Sequence, residues 1–313
     1  MVQNNECNSA EMPNEQQEYV DEFTNYFDNK IVPLIEQGNI VKDKFRSIFW
    51  TSFWTAIALL CVNGLFVLFK ALIYHKSVTI GQFWFVFLIA ALFALEPLLS
   101  YRKEKKTDIF GVFLQFFGDW KHEEEHKILP EYQYPILPTH DALTITHQVS
   151  GSYSGAEIKI GNAIFHNGKK SGGKGVLIDI SFLSPFTSAI LLFDKSGFHR
   201  SDKISRFQQI KEEIPIPSSN YFKIFTPDAS VPHDILCSAF FEKILDIKDD
   251  FKSRKMNVML QDSHLLIVLE NADIYFNTDS LWNKSDNKIR FEQLNKQISD
   301  ILYLVDLMHE LQR

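Results

Sequence analysis

The sequence predicts an α+β protein in which an N-terminal transmembrane helical hairpin precedes a mainly antiparallel sheet domain with two amphipathic helices. Three observations predict it. Two long uncharged apolar runs lie close together between about Arg46 and Tyr101. From Asp141 onward the apolar residues switch to a period of two, the signature of half-buried strands. Two later segments, 233–251 and 289–312, return to a period near 3.6. Strands grouped together with segregated helices make an α+β arrangement with an antiparallel sheet.

The first run, SIFWTSFWTAIALLCVNGLFVLF, carries no charge between Arg46 and Lys70. At about 1.5 Å per helical residue it covers the roughly 30 Å hydrocarbon thickness of a bilayer. The second, SVTIGQFWFVFLIAALFAL, spans Ser77 to Leu95. A domain of this size could not bury every face of two such helices. Trp50 and Trp54 mark one end of the first run, while Tyr74 and Trp84 flank the turn, as interfacial aromatics do. Seven Lys and Arg flank the outer ends (Lys42, Lys44, Arg46, Arg102, Lys103, Lys105, Lys106), against Lys70 and Lys76 at the turn. By the positive-inside rule both termini are expected in the cytoplasm, with the lipid bilayer as first partner. Asn63 and Glu96 are the polar residues of the hairpin and candidates for contacts between its helices; Gly64 permits close approach.

The expected organisation is a disordered tail over 1–17, an amphipathic cytoplasmic helix over 18–46, the hairpin over 47–101, a juxtamembrane helix and linker over 102–138, and the α+β domain over 139–313. In the first helix Val20, Phe23, Tyr26, Phe27, Ile31, Leu34 and Ile35 recur at helical spacing. Residues 107–120, TDIFGVFLQFFGDW, form a wide aromatic face that fits either the headgroup layer or the C-terminal domain. PEYQYPILP reads as an extended linker fixed by three prolines. Strands are expected in DALTITHQVSGSYSGAEIKIGNAIFHNG, in 175–183, 188–194 and 221–228, and in a hairpin turning at Gln261-Asp262-Ser263.

Charge and motifs exclude several functions. A net charge of −7 argues against non-specific nucleic-acid binding, which needs a basic face, and leaves room only for a local basic patch. Cys7, Cys61 and Cys237 are too scattered for a disulfide framework or zinc site. GKKSGGKG, 168–175, matches a G-x-x-x-x-G-K core, yet Gly175 replaces the magnesium-binding hydroxyl and a strand follows instead of a helix. A basic hairpin loop fits better, with Lys169, Lys170 and Lys174 as candidate contacts to anionic headgroups or a ligand. Asp228, His233 and Asp234 read as helix-start residues, and His122 and His126 of KHEEEH as a solvated turn, not a metal site. No catalytic residue, metal or cofactor is expected.

Three stretches carry a resemblance: VSGSYSGAEIKIGNAIF, GVLIDISFLSPFTSAILLF and YFKIFTPDASVPHDILCSAFFEKILDI. In their order after paired apolar runs, the chain resembles the bacterial DUF3137 family of two-helix membrane proteins. It departs in having Val231-Pro232-His233 where members carry an Ala-rich helix start. The resemblance implies the architecture above in a bacterial inner membrane, no catalytic residues, and a LemA-type membrane protein as candidate partner. The expected function is a membrane-anchored binding or scaffold protein, with a homo-oligomer as a further candidate. A membrane-bound enzyme with a dispersed polar site and an oligomeric pore are the alternatives.

Overall fold

The computed structural model describes residues 13–74, 87–89, 91–92, 95–97, 99–100, 109–123, 127–129, 135–138, 142–167, 170–196, 204–210, 220–227, 235–272 and 287–312. They form two compact units: one holds residues through 23 and from 110 onward, the other residues 24–109.

The expected amphipathic helix and the first apolar run are not separate elements. Helix α1 (Pro13–Tyr26) passes through a π-helical turn (Phe27–Ile31) into α2 (Val32–Tyr74), 43 residues long. Pro33 has no N–H to bond the preceding turn, and the wide turn before it, closed by Val32 N–H to the Phe27 carbonyl, keeps the chain helical. The polar stretch Lys42–Arg46 changes composition without breaking the helix. Of the second run, the described residues 87–89, 91–92, 95–97 and 99–100 are helical; its turn and the remainder lie outside the described residues.

The first unit is α+β, as predicted. Strands β1 (Lys121–Glu123), β2 (Lys127–Leu129), β3 (Ala142–Tyr153), β4 (Ala156–Asn167), β5 (Lys170–Ser181), β6 (Ile190–Asp194), β7 (Gln208–Gln209), β8 (Phe222–Thr226), β9 (Lys255–Gln261) and β10 (His264–Glu270) form a single sheet. Its order is β1-β3-β4-β5-β10-β9-β6-β8-β7, with β2 also on β3. Every pair is antiparallel. The β3–β4 hairpin closes through Ser154 and Gly155, both at positive φ (50° and 85°), the two-residue turn whose twist matches the strands.

Alternation sorts the sheet into two faces. One carries Leu143, Phe165, Leu177, Leu191, Phe193, Met259 and Val268 in a single apolar cluster. Ile136 and Leu137 belong to it, 1% and 7% exposed, and Ile136 accepts a hydrogen bond from Asn257 Nδ2 at 3.0 Å. The proline-rich stretch read as a linker is therefore, at these two residues, core: prolines dictate an extended backbone, and an extended backbone can be buried as well as exposed.

The other face carries the helices α4 (Ser238–Asp250) and α5 (Asn287–Leu311). Phe222 of β8 stacks on Phe241 of α4 at 6.1 Å, and Lys248 of α4 reaches Asp194 of β6. Helix α3 (Ile109–Leu114) begins the aromatic stretch left between lipid and domain. Phe113 and Leu114 are fully buried, and Phe113 meets Phe291 of α5 at 5.0 Å between ring centroids. Phe23 packs on Phe113 and Phe116 in turn. At these residues the stretch packs within the domain.

Candidate functional site

Helix α2 shows water the wrong chemistry for a soluble helix. Trp54, Val62 and Leu65 are 61–68% exposed. Large side chains so exposed along an uncharged run are stable against hydrocarbon. The hydroxyls of Thr51 and Thr55 are internally satisfied, donating to carbonyls one turn back at 3.0 and 2.8 Å. Phe49, Trp50, Phe53 and Trp54 cluster edge to face beside Arg46, as an interfacial belt does. Among the described residues this is one helix long and apolar enough to span a bilayer.

The predicted polar residues fall as follows. Asn63 is half-buried, and its Nδ2 has no hydrogen-bond partner among the described residues. A Cβ on Gly64 would meet nothing within 4 Å, so no described neighbour requires glycine there. Glu96 is exposed. Lys170 and Lys174 lie within β5, not in a loop, because β4 and β5 pair as far as Asn167 and Lys170; Lys169 lies outside the described residues. This pairing also removes the phosphate-loop geometry, which needs a helix after the glycines. His122 sits in β1, stacked on His147 at 5.7 Å; His126, Asp228, His233 and Asp234 lie outside the described residues. Among the described residues no group of three or more His, Cys, Asp or Glu could hold a metal ion.

Three polar clusters that sequence reasoning missed are built by the sheet and its helices. On the cluster-bearing face, Asp179 and Ser181 of β5 converge on His264 of β10, both 3.1 Å from Nδ1. A Ser-His-Asp relay needs carboxylate and hydroxyl on opposite ring nitrogens. Here they compete for one, and the arrangement satisfies a buried carboxylate. Asp194, 5% exposed, accepts from Lys248 Nζ at 2.7 Å and from the Ser196 amide and hydroxyl at 2.9 and 2.6 Å. Burial would raise its pKa, but these donors outweigh it and hold the carboxyl below its usual range.

The third cluster lies between α4 and α5. Asp250 and Asp300 act on each other electrostatically here, Lys296 Nζ reaches Asp250 at 2.6 Å, and Lys243 bridges to Asp300 while its ammonium lies 4.6 Å over the Tyr303 ring. The side chains of Asp250 and Asp300 are only 13% and 14% exposed. On the same turns of α5, the Tyr19 hydroxyl bonds Asn295 and Ser299, both at 2.8 Å, and burial pushes that phenol up to about 12. The sequence signal was an aspartate at the margin of an apolar stripe, ISDILYLV, but its partner some fifty residues earlier left no trace in local spacing.

No curated protein matches the chain. Among solved structures, the crystal structure of the mycobacterial trehalose monomycolate transport factor A, TtfA, aligns at 8% identity and a TM-score of 0.36. The alignment covers 62% of this chain and 91% of that one. A likeness that low bears on neither mechanism nor function. Residues 174–313, which hold half of the strand residues of the sheet and both of its covering helices, match the family described as protein of unknown function, DUF3137, the family that the sequence resembles.

Proposed function

We propose that the protein is a membrane-anchored recognition or scaffold module, held at the inner membrane by a helical hairpin and presenting its α+β domain to the cytoplasm. The observation that carries this reading is α2, whose uncharged stretch exposes large apolar side chains where a soluble helix would show charge. In this reading the second run returns the chain through the bilayer, and Asn63 finds its hydrogen-bond partner across the hairpin. The excess of Lys and Arg at the outer ends favours cytoplasmic termini. In a chain stripped of Cys7, Cys61 and Cys237, a cysteine placed at Ser77 should react with an impermeant maleimide in intact cells, and one at Ser152 should not. The reverse pattern would reject the orientation.

The basic hairpin carrying Lys169, Lys170 and Lys174 is the proposed contact to anionic headgroups or an acidic partner. Each lysine near an anionic surface contributes about 1 kcal/mol, so the set supplies about 3 kcal/mol. After extraction in mild detergent, wild type should retain several times more anionic lipid or membrane partner, a LemA-type protein among the candidates, than the Lys169/Lys170/Lys174→Ala variant. Equal recovery would remove this loop from the account.

A further inference from the structure

We propose that Asp250 and Asp300 form a proton-sharing carboxyl pair, a pH-sensitive latch on the seam between α4 and α5. The geometry leaves little choice. The Oδ2 atoms of both residues are buried without a hydrogen-bond donor. Their other oxygens are occupied, Asp250 Oδ1 by Lys296 at 2.6 Å and Asp300 Oδ1 by Lys243. With both groups ionised, two buried acceptors would be left undonated; one shared proton would satisfy both.

The charged groups facing the pair are Lys243 and Asp246 on α4 and Lys296 on α5. The two lysines stabilise one negative charge on the pair readily. A second charge meets burial and the first carboxylate, and Asp246, 4.0 Å from Lys243, draws part of that lysine's field. Burial, then the Asp250 carboxylate, raises Asp300 to about 6 against the pull of Lys243. Asp250 is lowered: burial opposes this, but the hydrogen bond from Asp300 and the Lys296 ammonium prevail.

The signs then follow. Asp300 binds its proton more tightly folded than unfolded, so its contribution is complete below the ordinary aspartate pKa of 3.8 and is lost as pH rises through about 6. Asp250 contributes in the other direction, above 3.8, and its share is lost as pH falls below that. Between these limits the seam is tightest in mild acid and loosens toward neutrality. The Gln293 and Gln297 amides bond the Asp250 carbonyl at 3.3 and 3.0 Å, so the latch holds the end of α4 against α5. Since α5 also carries Asn295 and Ser299, the seam shares its helix with the seat of Tyr19.

The test uses the full chain in detergent. Its unfolding midpoint should fall between pH 5 and 7, with the folded-to-unfolded ratio dropping about tenfold, as a carboxyl moved from 3.8 to about 6 requires over that window. Asp300→Asn, whose amide can donate to Asp250 at any pH, should flatten this slope. A wild-type midpoint that is level from pH 5 to 7, or a slope that survives in Asp300→Asn, would overturn the proposal. Should Asp300→Asn fail to fold, carbon-13 spectra of aspartate-labelled wild type decide: one carboxyl should titrate near pH 6, and titration of every aspartate below pH 5 would overturn it.

Discussion

Gly151→Ala should destabilise the domain by about 2–4 kcal/mol, an unusual cost for adding one methyl group to a strand. Gly151 lies inside β3 opposite Ile158, and a Cβ there would overlap the Cγ, Cδ1 and Cδ2 atoms of the Trp120 indole. Trp120 is 5% exposed, so the ring has little room to yield. It would have to leave its place on the sheet, forfeiting much of what truncating a buried tryptophan forfeits, about 3–5 kcal/mol. Once Trp120 is alanine the same substitution no longer meets the indole, and alanine is the better strand residue. The double variant should therefore be no less stable than Trp120→Ala alone, giving a coupling of about 2 kcal/mol or more. Urea unfolding followed by far-UV circular dichroism measures it. Additive losses would show that the ring and the glycine do not share this space.

The same pair shows what a sequence can and cannot disclose. VSGSYSG announces a turn through Ser154 and Gly155, and the structure places the turn there. Gly151 in the same string reads as another turn residue, yet it lies mid-strand because an indole thirty residues upstream occupies its Cβ position. Elements whose stabilising contacts are periodic were legible. The hairpin at Asp262 and the α5 stripe fall where alternation and helical spacing put them: of Leu294, Ile298, Ile301, Leu302, Val305 and Met308, all are buried except the half-buried Leu302. Elements defined by a distant partner were not. Ile136 and Leu137 looked like linker because prolines report extension and not burial. Residues 109–117 were compatible with lipid or protein until Phe291 was found beneath Phe113. GKKSGGKG resembled a loop because small residues hide the alternation of a strand, although Lys170–Ser181 pairs along β4.

The candidate sites divide in the same way. The apolar helix was visible because desolvation of a long uncharged run is a local property. The Asp250–Asp300 pair was not, because each aspartate by itself is an ordinary helix residue, and only the packing of α4 on α5 brings two carboxylates and two lysines together.

The anchor itself predicts the largest effect of all. Burial of apolar surface is worth about 25 cal/mol per Å², and α2 alone exposes a dozen large apolar side chains to whatever surrounds it. In water that surface drives aggregation; in lipid it holds the chain against anything short of detergent. A version lacking residues 47–101 keeps the residues of the first unit, including Tyr19 and Phe23 with their partners on α5 and α3. The decisive measurement is fractionation of cells expressing both forms, with an alkaline carbonate wash of the membranes. The full-length protein should stay in the washed pellet and enter solution only with detergent, while the shortened one should appear folded in the soluble fraction. Full-length protein released by carbonate alone would contradict a membrane-spanning α2 and the proposed topology with it.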